Sequence, residues 1–80
     1  MQSVSILGST GSIGVSTLKV IRSFPGRFSI LGLACNRNLD LLSQQISEFT
    51  PAVVAVGDPR AAASVQFAEL KSRFTNVEFL

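Results

Sequence analysis

The sequence predicts an α/β protein built on a parallel β-sheet. Two observations support this prediction. Strand-length apolar segments alternate with amphipathic helical segments in the order β-α-β-α-β-α-β, and a glycine-rich turn joins the first strand to the first helix. The composition agrees, because 46% of the 80 residues are hydrophobic and 15% are charged. Such a balance is typical of one small globular domain with a buried sheet.

The first strand and helix are predicted at residues 3–7 and 12–23. The Pro-Gly pair at residues 25–26 ends the helix. Lys19 and Arg22 are expected to be solvated, because both fall outside the apolar face of the helix. That face repeats at helical spacing and consists of Ile13, Thr17, Val20, Ile21 and Phe24.

The next strand, helix and strand are predicted at residues 28–34, 39–49 and 52–56. The strand FSILGLA is almost continuously apolar, as expected of a parallel strand covered on both faces. Asn38 is placed to cap the helix, because its side-chain oxygen can accept a hydrogen bond from a first-turn N–H group. Pro51 separates this helix from the following strand, AVVAV.

The last helix and strand are predicted at residues 59–74 and 77–80. Asp58 is suited to the N-cap of this helix and Pro59 to its first turn. Together the elements predict a Rossmann-like, doubly wound parallel sheet with the strand order 3-2-1-4. Such sheets bind ligands beyond the carboxyl ends of their strands, where the strand order reverses. That point is expected beside the first strand.

The turn after the first strand is expected to bind a phosphate. Gly8, Gly11 and Gly14 have the spacing G-x-x-G-x-x-G, with Thr10 at the middle glycine of the usual G-x-G-x-x-G. Unpaired N–H groups and the helix dipole attract anions to a helix start. An ATP or GTP loop is disfavoured, because it needs a lysine beside its last glycine and the first lysine is Lys19. In the alternative interpretation, the glycines serve close packing alone.

The loop after the second strand is expected to select NADP(H) over NAD(H). NAD-binding domains usually place an Asp or Glu there to bind the adenine ribose. This loop instead carries Asn36, Arg37 and Asn38. A guanidinium can bind a 2′-phosphate in a fork and stack on the adenine. Alternatively, Arg37 is a solvated charge and Asn38 only a helix cap, while Asp40 could contact the ribose but falls inside the second predicted helix.

The composition disfavours several other kinds of site. The net charge is +2 and the seven basic residues form no run, which gives little support to binding of nucleic acid or membranes. Without histidine, and with its acidic residues spread singly, the chain is expected to hold no metal and no catalytic carboxylate pair.

Cys35 is the single cysteine. It is expected to be a small buried residue in a reducing compartment, and no signal peptide or membrane-length apolar segment is visible.

The sequence resembles the N-terminus of the 1-deoxy-D-xylulose 5-phosphate reductoisomerase family. The run Gly-Ser-Thr-Gly-Ser-Ile-Gly is far more specific than a generic glycine motif, and the likeness extends over residues 1–60 before it fades along the third helix. Position 36 is usually glycine in the family and is Asn here, a residue that tolerates positive φ. The matching segments are residues 6–14, 17–18 and 20–21, Phe28, residues 34–38, Gln44, Gln45, Glu48, Phe49 and Pro51.

The resemblance implies an activity and a cofactor. Members rearrange 1-deoxy-D-xylulose 5-phosphate and reduce the intermediate to 2-C-methyl-D-erythritol 4-phosphate in non-mevalonate isoprenoid biosynthesis, using NADPH and a divalent cation (Mg²⁺, Mn²⁺ or Co²⁺). They act as homodimers in the bacterial cytoplasm. The cofactor-binding residues that we expect in this chain are Gly8, Thr10, Gly11, Ser12, Ile13, Asn36, Arg37 and Asn38.

Family members are several times longer than this chain. We therefore expect residues 1–80 to be the N-terminal part of the NADPH-binding domain. The catalytic residues, the metal ligands and the C-terminal domains are expected outside it, so residues 1–80 alone should be inactive. Two alternatives remain: the cofactor domain of another NADP-dependent dehydrogenase, and a nucleotide-binding module without catalysis.

Overall fold

The computed structural model describes residues 2–80 and confirms the alternation of strands and helices. Two of the three connecting helices begin and end within one residue of their predicted limits. The elements are β1 (Gln2–Leu7), α1 (Ser12–Arg22), β2 (Phe28–Cys35), α2 (Leu39–Phe49), β3 (Val53–Val56), α3 (Pro59–Ala62), α4 (Val65–Arg73) and β4 (Glu78–Phe79).

The four strands form one parallel sheet in the order β1-β2-β3-β4. The parallel α/β class is confirmed, but the expected order 3-2-1-4 is wrong, because β4 pairs with β3. The reason lies in the helices before β4. Phe67 and Leu70 of α4 are buried in the same core as α2, on the same face of the sheet. With right-handed crossovers, a helix on that face carries the chain outward past β3 and not back to β1.

The third predicted helix is divided in two. The expected helix at residues 59–74 is interrupted at Ala63 and Ser64, between α3 and α4. Ser64 causes the break, because its hydroxyl accepts a hydrogen bond from the N–H of Phe67 at 3.1 Å and so begins a new helix. Phe67 then packs edge-to-face on Phe79 of β4, with ring centroids 5.6 Å apart, and this contact attaches α4 to the last strand.

The helices of the described chain cover one face of the sheet. The buried side chains form a single core between that face and the helices. On the opposite face Leu7 is 85% exposed, Leu31 50% and Leu80 71%, and no other segment of residues 2–80 covers them. The core residues are Ile6, Leu18, Ile30, Leu33, Cys35, Leu39, Leu42, Ile46, Val54, Phe67 and Leu70.

The buried face of α1 differs from the predicted one. Ile13 is 83% exposed, and Val20 and Phe24 are also exposed. The helix instead packs through Gly14 and Leu18, which are buried, while Ile21 of the predicted face is partly buried against the core. The apolar pattern failed here because it leaves out Leu18, and because Gly14, which packs against the backbone of the preceding turn, has no side chain to contribute to an apolar face.

An ion pair joins α1 to α2. The Arg22 guanidinium was expected to be solvated. It donates to both carboxylate oxygens of Glu48, with 2.7 Å between Nη2 and Oε1, and lies over the ring of Phe49. The pair holds the pKa of Glu48 below its usual value. Within the described part of the chain, no helix is long and apolar enough to cross a membrane.

Candidate cofactor site

The glycine turn between β1 and α1 has a compact hydrogen-bonded geometry. Gly8 adopts φ of +73°, a left-handed conformation that favours glycine. Its carbonyl then accepts a hydrogen bond from the N–H of Gly11 at 3.0 Å. Gly11 is the extended N-cap residue of α1, and its carbonyl accepts from Val15 at 2.9 Å. The turn thus passes directly from the strand into the helix.

The third glycine of the motif is required by close packing. A β-carbon on Gly14 would lie 2.1 Å from the carbonyl oxygen of Gly8 and 2.7 Å from the Cα atom of Ser9. Both obstacles are backbone atoms, so they cannot move aside as a flexible side chain could. Close packing alone is therefore enough to require glycine at position 14. Gly8 and Gly11, in contrast, keep the outer side of the turn free of side chains.

The start of α1 is suited to an anion. Its first-turn N–H groups, including those of Ser12 and Ile13, lack intrahelical partners. Among the described residues no side chain caps this end, and the first turn holds no acidic residue. The positive end of the helix dipole is therefore available to a bound anion. The other helices are capped by side chains, namely those of Asn38, Asp58 and Ser64.

The structure brings the two predicted binding loops to the same edge of the sheet. Leu7 at the end of β1 is paired with Ala34 near the end of β2. The Ala34 carbonyl accepts two hydrogen bonds from the glycine turn, at 2.8 Å from the N–H of Gly8 and 2.9 Å from that of Ser9. The turn at residues 8–13 therefore lies next to the loop at residues 36–38.

The three residues of the second loop have different surroundings. Asn38 caps α2 as predicted, since its Oδ1 accepts from the N–H of Leu41 at 3.2 Å. The Asn36 carbonyl accepts from the N–H of Asp58 at 3.0 Å, which joins this loop to the one after β3. Arg37 is exposed, and its guanidinium forms no ion pair within residues 2–80. It is the one charged side chain in this loop, and it is therefore free to bind a ligand.

Asp40 is poorly placed to bind a ribose. It lies in the first turn of α2, as the sequence indicated, and its Oδ1 accepts from Gln66 Nε2 of α4 at 2.6 Å. This contact draws the carboxylate toward α4. The loop at residues 36–38 itself holds no carboxylate.

Gln45 is a further residue at the site, and no motif in the sequence predicts its place there. Its Nε2 donates to the carbonyl oxygen of Ser9 in the glycine turn at 2.7 Å, in a buried environment. A signal was present in the sequence. Gln45 lies on the buried face of α2 with Leu42 and Ile46, where an amide side chain requires a polar partner.

Cys35 ends β2 and is buried, as predicted. Burial raises the pKa of its thiol, an effect only partly offset by a hydrogen bond from the backbone of Asn38. The thiol is therefore protonated at neutral pH and unsuited to nucleophilic chemistry. In the part of the chain that the structure describes, no three potential His, Cys, Asp or Glu ligands lie together to hold a metal ion.

The fold and the glycine turn define a Rossmann-like α/β domain, in which a strand-to-helix turn and the loop of the next strand meet at the carboxyl edge of a parallel sheet. Sequence comparison then assigns the family. The chain belongs to the 1-deoxy-D-xylulose 5-phosphate reductoisomerase family, whose model matches residues 4–79. The family resemblance carried by the glycine run is thereby confirmed.

Individual relatives agree with this assignment. The chain is 48% identical over 80 residues to the 1-deoxy-D-xylulose 5-phosphate reductoisomerase of Thermodesulfovibrio yellowstonii, a match covering 100% of this chain and 20% of that protein. A crystal structure of DOX-P reductoisomerase in complex with NADPH, fosmidomycin and magnesium is similar with a TM-score of 0.83 and 34% identity, covering 100% of this chain and 19% of the other.

The reductoisomerase from Zymomonas mobilis in complex with NADPH has the same TM-score, 0.83, at 29% identity over 98% of this chain and 20% of that one. The chain spans about one fifth of the length of the curated relatives it matches. Because the match to the first of these structures covers 100% of this chain, it includes the glycine turn and all four strands.

Proposed function

We propose that residues 1–80 are the N-terminal part of the NADPH-binding domain of a 1-deoxy-D-xylulose 5-phosphate reductoisomerase. The observation that carries the proposal is the junction at Ala34, whose carbonyl fixes the glycine turn beside the loop at residues 36–38. A phosphate-binding turn and a carboxylate-free loop thus lie at one edge of the sheet. The solved relatives in complex with NADPH support this assignment.

In this proposal the two loops bind different parts of the cofactor. The start of α1 takes the pyrophosphate, because its N–H groups and dipole suit an anion. Arg37 takes the adenosine 2′-phosphate, because a guanidinium offers paired donors that no carboxylate opposes here. The pyrophosphate-binding residues are Gly8, Thr10, Gly11, Ser12 and Ile13, and the residues at the adenosine half are Asn36, Arg37 and Asn38.

The rest of the activity belongs to the complete protein. We propose that it converts 1-deoxy-D-xylulose 5-phosphate to 2-C-methyl-D-erythritol 4-phosphate, with NADPH supplying hydride and a divalent cation bound by residues outside this chain. A homodimer in the bacterial cytoplasm is the expected form. Support comes from membership of the family and from the magnesium and NADPH in the complexes of a solved relative.

The binding test compares Arg37→Ala with Arg27→Ala in the complete protein. Arg27 carries the same charge and is exposed, but it precedes β2 at the opposite edge of the sheet. We expect Arg37→Ala to weaken NADPH binding roughly tenfold to a hundredfold, the loss of one charge-assisted contact, and to leave NADH binding unchanged. Arg27→Ala should bind both cofactors as the parent does. Equal NADPH affinity in the two variants would exclude Arg37 as the 2′-phosphate ligand.

The activity test follows NADPH oxidation through the loss of absorbance of the reduced nicotinamide, with 1-deoxy-D-xylulose 5-phosphate and Mg²⁺ present. Turnover is expected from the complete protein and not from residues 1–80 alone. NADPH binding without turnover of this substrate would instead indicate another NADP-dependent dehydrogenase or a non-catalytic module.

A further inference from the structure

One side chain of α2, that of Gln45, forms a hydrogen bond to the glycine turn. Gln45 is 4% exposed, and its Nε2 lies 2.7 Å from the carbonyl oxygen of Ser9, a residue that is fully buried. The two residues are 36 positions apart in the chain. The contact is therefore a tertiary link between α2 and the turn, and it is not part of the local geometry of either.

Burial makes this hydrogen bond important to both partners. A buried amide or carbonyl without a partner destabilises a protein by more than an ordinary hydrogen bond stabilises it. Among residues 2–80, Gln45 Oε1 and Ser9 Oγ have no partner. Reversing the Gln45 amide would place Oε1 against the Ser9 carbonyl, so only the observed orientation forms the bond. The neighbours of Gln45 on this face, Leu42 and Ile46, are apolar and offer no substitute.

The link helps to fix the two peptide groups that flank the Cα atom of Ser9 in the turn. Ser9 N–H donates to the Ala34 carbonyl at 2.9 Å, while the Ser9 carbonyl accepts from Gln45. The residue is therefore held at both ends, by β2 and by α2. Because α2 begins at its cap Asn38, the same helix also bounds the second binding loop.

We propose that Gln45 is a positioning residue for the cofactor: it holds the phosphate-binding turn at a fixed distance from the loop at residues 36–38 without touching the cofactor. This inference rests on the proposed function. Without the hydrogen bond to Gln45, the turn would adopt its binding-competent conformation for a smaller fraction of the time. The apparent affinity for the cofactor would fall in proportion to that population.

The first test compares Gln45→Leu with Gln44→Leu in the complete protein. Gln44 carries the same side chain one residue earlier in α2, but it is exposed. We expect Gln45→Leu to raise the Kd of NADPH and NADH alike by roughly tenfold, the effect of leaving one buried carbonyl unpaired. The KM for NADPH should rise by a similar factor with kcat unchanged, and Gln44→Leu should match the parent.

This pattern separates Gln45 from the other candidate residues. Arg37→Ala should change NADPH binding alone, whereas Gln45→Leu should change binding of both cofactors. If the parent binds NADPH and a folded Gln45→Leu variant binds it equally well, the positioning role is wrong. If the parent itself fails to bind NADPH, the proposed function is wrong instead.

The second test needs no variant and therefore does not depend on how Gln45→Leu folds. Hydrogen exchange of the two side-chain amides is measured by NMR in the parent protein. The Gln45 amide protons should exchange at least about tenfold more slowly than those of Gln44, because they are buried and hydrogen-bonded. NADPH should slow the Gln45 amide further. Equal exchange of Gln44 and Gln45 would show that the link to Ser9 does not hold the turn.

Discussion

The carbonyl oxygen of Gly8 occupies the space that a side chain on Gly14 would need, 2.1 Å from an ideal β-carbon position. The first glycine of the turn and the third are therefore one packing unit. Gly8 turns the chain with a positive φ, and the missing side chain of Gly14 lets α1 lie directly against that turn. The direction in which α1 presents its N-terminus depends on this contact.

Gly14→Ala is expected to lower the free energy of unfolding by about 1–3 kcal/mol, the usual result of forcing a group into packed backbone. Gly11→Ala is the matched control. Its β-carbon would lie 3.5 Å from the Gly8 carbonyl oxygen, an ordinary contact, and Gly11 has a negative φ that alanine adopts. Urea titrations of both variants measure the difference. Equal stability would show that α1 can shift away from the turn without cost.

Asn38 allows the cap of α2 to be separated from cofactor selection. Asp caps helices as well as Asn does, so Asn38→Asp should keep its free energy of unfolding within about 0.5 kcal/mol. Asn38→Ala should lower the free energy of unfolding by about 1 kcal/mol, because the hydrogen bond to the N–H of Leu41 is lost. The new carboxylate of Asn38→Asp should weaken NADPH binding roughly tenfold and spare NADH, because it repels the 2′-phosphate. An unchanged NADPH affinity would place residue 38 away from that phosphate.

Glu48→Gln tests the ion pair between α1 and α2. Arg22 and Glu48 are both partly exposed, so the pair is worth about 0.5 kcal/mol at pH 7. The pKa of the Glu48 carboxyl is lowered from its usual 4.5 in the folded protein. Its contribution to stability is therefore complete above pH 4.5 and is lost as the pH falls through the folded pKa. Unfolding titrations should show parent and variant converging as the pH falls below 4.5; a constant difference would contradict the ion pair.

Cys35 is expected to react slowly while the protein is folded. The thiol is buried and its pKa is raised by burial, so little thiolate is accessible at pH 7. Labelling with a disulfide reagent should be at least about tenfold slower in the native protein than in urea. Labelling as fast as in urea would mean that the end of β2 opens readily.

The sequence was sufficient where the decisive contacts are local. The limits of α2 were predicted correctly, because the cap Asn38 and the breaker Pro51 mark its ends within the chain. The strand order was not predicted correctly, because it depends on the face of the sheet against which Phe67 and Leu70 pack. The break at Ser64 was missed although a capping residue was visible there, because residues 60–74 contain no glycine or proline to mark an interruption.

In the candidate site, too, the local features could be predicted from the sequence and the long-range contact could not. The glycine turn and the loop at residues 36–38 could be recognised by residue type and spacing, and the parallel pairing of β1 and β2 brings them together. Gln45 could not be assigned from spacing, because its partner is a backbone carbonyl 36 residues away. Its hydrogen bond to the glycine turn became apparent only from the packing of α2 against that turn.

The strand order has a consequence for synthesis of the protein. Each strand pairs with the strand that precedes it in the chain, so the sheet can grow by one strand and one helix at a time as residues leave the ribosome. Contacts between neighbouring segments form faster than contacts between distant ones. We therefore expect the glycine turn to acquire its support from β2 and α2 early, before β4 has been synthesised.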